Sequence, residues 1–76
     1  MKEYRIFEVS DMAEKLKGNI KCRLDDDDKT IFKSIRQLGF NINRRRNKLI
    51  WWDDDYAEII NKKSDLTIGV MELAYR

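Results

Sequence analysis

Seven basic side chains, Lys29, Lys33, Arg36, Arg44, Arg45, Arg46 and Lys48, fall within residues 29–52, and no aspartate or glutamate interrupts them. Such groups make no bonds at neutral pH. What they do is hold anions, arginine through a planar fork that fits phosphate or the edge of a guanine. A block this free of acid sets up a local field, because charges more than about 10 Å away are screened by salt. Bond-making chemistry is scarce elsewhere. The chain has no histidine and only one cysteine, Cys22, which excludes a histidine base, an intramolecular disulfide and a His/Cys zinc site. No glycine-rich phosphate loop and no nucleophile motif is present, so neither catalysis nor a cofactor is expected. The carboxylates of Asp25–Asp28 and Asp53–Asp55 are hard-ion ligands by type. They lack the alternating spacing and the glycine of a calcium loop, so helix capping is expected of them and no metal.

The elements that would position the basic block follow from periodicity. Residues 4–9, YRIFEV, alternate as a short strand. Ser10 suits a helix N-cap, followed by an apolar stripe of Met12, Ala13 and Leu16, with Gly18 and Asn19 as a stop. NIKCRL is ambiguous between strand and loop. DDDDKTIFKSIRQLGF gives the clearest helix, with Ile31, Ile35 and Leu38 at i, i+4 and i+7 and Gly39 in the C′ position. Lys29, Lys33 and Arg36 then share the opposite, solvent-facing side. FNINRRRNKLIWW reads as a hairpin with Arg44–Asn47 as its loop, pairing Phe40 with Trp51 and Ile42 with Leu49. Asp53–Asp55 would cap a closing helix, YAEIINKK. For residues 65–76 the pattern leaves open a further helix, an edge strand or a dimer contact.

Seventy-six residues make one domain, 1–76. Its core must come from Phe7, Phe32, Phe40, Trp51, Trp52, Tyr56 and the neighbouring aliphatic side chains. Apolar runs fall far short of the roughly 20 residues that span a bilayer, and the start does not resemble a signal peptide. With its lone cysteine, the chain is expected to be soluble and cytoplasmic, without a membrane partner.

A basic helix face followed at once by a basic hairpin is the arrangement of a winged helix-turn-helix. Through VSDMAEKL and RRRNKLIW, residues 4–63 resemble the small winged-helix proteins of phage and transposon excisionases and the DNA-binding domains of MerR-like regulators. The resemblance implies an α+β winged helix-turn-helix-like domain of about three helices and a two-stranded wing. It also implies a non-enzymatic protein that binds double-stranded DNA, for excision or for transcriptional regulation. Arg44, Arg45, Arg46 and Lys48 would contact phosphates or the minor groove, while Lys29, Lys33, Arg36 and Gln37 would face the major groove and Asn47 would add a base-edge contact. Homodimers or cooperative assembly on DNA would accompany this. The rival expectation is a protein-interaction module, such as a phage inhibitor of a host protein, supported by the aspartate runs and the apolar tail around Val70, Met71, Leu73 and Tyr75. A third is single-strand binding, with Trp52 as the stacking ring.

Overall fold

The computed structural model describes residues 1–11 and 13–75. Five strands and one helix follow in the order β1 (Lys2–Ser10), β2 (Ala13–Cys22), α1 (Asp28–Arg36), β3 (Asn47–Asp53), β4 (Tyr56–Asn61) and β5 (Thr67–Leu73). All pairings are antiparallel, and the strand order is β2-β1-β5-β4-β3. Each strand therefore lies beside its sequence neighbour except β2 and β3, where α1 intervenes, and the first and last strands pair at the centre.

Period-2 alternation sorts the side chains onto two faces. Tyr4 and Ile6 of β1, Ile20 and Cys22 of β2, Ala57 and Ile59 of β4 and Met71 of β5 are buried on one face, against Ile31, Phe32 and Ile35 of α1. Asp27 caps the helix by accepting from the Thr30 amide at 2.8 Å, and Gly39 takes the positive φ of 86° expected after a helix end. The segment after α1 then crosses the same face. Leu38 lies over Gly18, and the Phe40 ring lies over Gly69. A Cβ at Gly69 would stand 2.8 Å from that ring and 3.0 Å from the Phe7 carbonyl oxygen. Glycine at 69 is what lets Phe40 sit this low.

The winged helix-turn-helix is thus replaced by a mostly β fold, and three local expectations fall with it. Residues 13–17 are strand, not helix. Ser10 pairs with Ala13 and Val9 with Glu14, extending β1 into a hairpin whose turn holds Asp11 at φ 46°. Ala13 and Leu16 are exposed, so the supposed stripe covers nothing. Pairing instead satisfies the amides and carbonyls along the free side of β1. Met12, placed on that stripe, lies outside the described residues.

YAEIINKK is strand and turn rather than helix. Tyr56 and Glu58 alternate with Ala57 and Ile59, and a register shift lets the adjacent Ile59 and Ile60 both be buried. No helix follows Asp53–Asp55, which belong to the β3–β4 turn, where the Asp55 amide donates to the Asp53 carboxylate at 2.8 Å. The wing register fails too, because β3 pairs with β4 (Leu49 with Ile59, Trp51 with Ala57) and residues 40–43 form no strand. Phe40, Ile42, Leu49 and Trp51 nonetheless all face the core, as the alternation required. The tail is neither the further helix nor the edge strand left open for it: Thr67–Leu73 form β5, a central strand. Among the described residues no helix is long and apolar enough to cross a membrane.

Candidate functional site

Two turns meet at the Asn47 end of β3. Asn43 folds the first: its side-chain oxygen accepts from the Arg46 amide at 2.9 Å, and its carbonyl accepts from the Asn47 amide and side chain, each at 3.0 Å. This is the local bonding for which asparagine is selected in turns. Asn61 does the same for the β4–β5 turn, accepting from the amides of Lys63 and Ser64 at 3.0 and 2.9 Å. The turns are then tied together. The Lys62 amide donates to the Arg46 carbonyl at 2.8 Å, and Lys62 Nζ donates to the Arg44 carbonyl at 2.7 Å. Arg36, at the end of α1, reaches the Ile42 carbonyl at 3.3 Å.

These ties shape an open cleft of about 890 Å³ between α1 and the start of β3. Six cationic side chains line it: Lys29 and Arg36 from α1, Arg44 and Arg45 from the first turn, Lys48 from β3 and Lys62 from the second turn. Asp28 is its one acidic wall, and Asn43 and Asn47 complete it. Among the described residues Lys48 is the only one of the six in an ion pair, with Asp65 at 3.7 Å. Asn47 is buried, and its Oδ1 has no partner among the described residues. The helix start offers no free anion site, because Asp27 and Asp28 already occupy it. The Asp27 carboxyl is held below the usual range, first by its hydrogen bonds from Thr30 and then by Arg44 and Lys29.

Of the nine residues expected at the interface, Lys29, Arg36, Arg44, Arg45, Asn47 and Lys48 converge on this cleft. Arg46 turns instead toward a smaller neighbouring cavity of about 430 Å³, shared with Arg45, Asn61, Lys62 and Lys63. Lys33 and Gln37 lie on α1 and at its C-cap, outside both cavities. Sequence reasoning missed Lys62, Asn43 and Asp28. The signal for Lys62 is NKKS, an asparagine-led turn that helical periodicity reads as a helix end. Trp52 lies near the opposite end of β3, 63% exposed, with its indole N–H donated to Glu58.

Fold and site together define a small antiparallel-sheet protein with a cationic cleft bounded by one helix and two asparagine-folded turns. No family model, no curated protein and no solved structure matches the chain.

Proposed function

We propose that the chain is a non-enzymatic DNA-binding protein that holds the phosphate backbone of a duplex in this cleft. The observation that carries the reading is the convergence of six cations from four separate segments on a cleft with one acidic residue, Asp28, in its described lining. Holding like charges together is unfavourable, and neutralisation by a polyanion, with release of its counterions, relieves it. Duplex is favoured over single strand because no aromatic ring among the described residues lines the cleft to stack an unpaired base. Contacts of this kind position the protein without reading sequence.

The test is fluorescence anisotropy of a labelled random-sequence duplex, an equivalent single strand and an RNA duplex at two salt concentrations. DNA duplex binding should weaken steeply with salt, with a log–log slope of about 0.9 for each phosphate neutralised. No duplex binding at low salt would end the proposal, as would binding that ignores salt.

A further inference from the structure

The sheet has a second face, opposite α1, on which Val70 is buried at the centre and Trp52 stands exposed at the edge. Strand register places Phe7 of β1, Val70 and Glu72 of β5, Tyr56 and Glu58 of β4 and Ile50 of β3 on it, because each alternates with a core residue. Trp52 joins them through a bulge: Trp51 pairs with Ala57 and Asp53 with Tyr56, which leaves Trp52 as the extra residue. Bulges re-aim side chains, and this one sends the indole to Glu58. Glu58 also accepts from the Thr67 hydroxyl at 3.1 Å, so the exposed ring is held from two strands. An exposed aromatic with a fixed orientation loses little entropy on binding, and such rings commonly dominate an interface.

The charge around the ring is acidic. Glu58 and Glu72 lie on the face, and Asp53 and Asp54 are exposed beside Trp52. Glu14 comes near as well: burial, followed by Glu58, Glu14 and Glu72, pushes the Tyr56 hydroxyl above its ordinary range. Arg5, paired across from Glu72, is the one cation at the centre of the face. Four strands at about 4.8 Å spacing make a platform roughly 14 Å across, enough to seat a helix about 10 Å in diameter.

We propose that this face docks an amphipathic helix of another protein, its apolar stripe seated on Trp52, Tyr56 and Ile50 and its flanking lysines or arginines against Glu58, Glu72 and Asp53. The surface adjoins the cleft at Lys48, on the same side of β3 as Ile50, but the residues of the proposed contact are not those that line the cleft.

The test uses the full chain and two synthetic amphipathic helical peptides, one of leucine and lysine and its leucine–glutamate counterpart, each fluorescently labelled and followed by anisotropy, with tryptophan emission read in the parent. The lysine peptide should bind saturably and shift the emission to the blue. W52A should weaken it on the order of tenfold, E72Q should weaken it less, and R45A should leave it unchanged. Equal binding of the glutamate peptide, indifference to W52A, or no binding overturns the proposal. So does concentration-dependent self-association in sedimentation that W52A abolishes, since a second copy would then occupy the face. Circular dichroism of W52A and E72Q checks that the sheet is intact, and thermal melts should match the parent because both changes are at the surface.

Discussion

The two ends of β3 sit in one strand and carry opposite chemistry. At Asn47 the strand leaves a turn of arginines and meets the lysines of the β4–β5 turn. At Trp52 it ends in an exposed indole and three aspartates. Between them Leu49 and Trp51 pack against the common core, and Trp51 meets Tyr4 edge-on at 5.5 Å. Folding accounts for the middle of the strand and employs Lys62, Lys48 and Asp53, but it leaves most of the charges at both ends unexplained. Unexplained charge, sorted by sign to opposite ends, is the stronger pointer to partners, because folding alone would have been served by mixed signs.

The largest change would remove both ends together. Phe32 is fully buried between α1 and the sheet. Phe32→Ala should cost about 3–5 kcal/mol, close to the total stability of a domain this small. Urea denaturation should show it, and duplex binding at one end and peptide binding at the other should disappear in parallel. Survival of either one in the unfolded variant would show that it does not depend on the folded arrangement.

Raising the pH should loosen the tie between the acidic end and the core. The Tyr4 hydroxyl donates to the Asp54 carbonyl at 2.8 Å and pins the acidic turn to the core. Burial pushes the Cys22 thiol up from 9.0 to about 11, helped by Asp26, and raises Tyr4 as well, through burial and then Cys22, Asp55 and Asp54. Both groups hold their protons to higher pH when folded than when unfolded. The Cys22 contribution is therefore complete below about pH 9 and is lost as pH rises through about 11, and Tyr4 acts in the same direction. The urea midpoint should fall over that window, and Cys22→Ala should flatten the early part of the fall. In the folded protein at neutral pH, Cys22 should resist alkylation until urea exposes it.

Two substitutions address the basic end directly. Arg45→Ala and Lys62→Ala should each weaken duplex binding several-fold and lower the salt slope by about 0.9 for every phosphate no longer neutralised. Lys33→Ala, on α1 but outside the cleft, should change the slope much less. If Lys33→Ala matches Arg45→Ala, the helix face rather than the cleft carries binding, and the contrast between the ends of β3 loses its meaning.

How far the chain could be read from its residues follows the reach of each signal. The α1 helix was legible because cap, stripe and stop are all local: Asp27, then Ile31, Phe32 and Ile35, then Gly39. The inward set Phe40, Ile42, Leu49 and Trp51 was legible from alternation alone. Strand partners were not. β3 chose β4 rather than residues 40–43, and that choice depends on β5 being available as the next strand, which no local pattern encodes. Short amphipathic stretches such as MAEKL and YAEII satisfy both periods over so few residues, and tertiary pairing decided them. The site was half legible for the same reason. The arginines stood out as a block, but Lys62 is 18 residues from the Arg44 carbonyl it binds, and only the meeting of two turns brings it in.

The smallest expected effect concerns the one acid in the basic end. Asp27 caps α1 and Asp26 accepts from the Arg23 amide at 2.9 Å, so both have structural work. Asp28 makes no side-chain hydrogen bond or ion pair among the described residues, yet it lines the cleft. Its carboxylate favours the helix start by a few tenths of a kcal/mol and repels any phosphate that enters beside Lys29. Asp28→Asn should therefore lower stability only slightly while tightening duplex binding about two- to fivefold at low salt, an advantage that shrinks as salt is added. Asp25→Asn, on an exposed residue outside the cleft, should do less. Equal gains from the two would mean that only overall charge matters. A gain confined to Asp28 would place the phosphates against the helix start, inside the cleft.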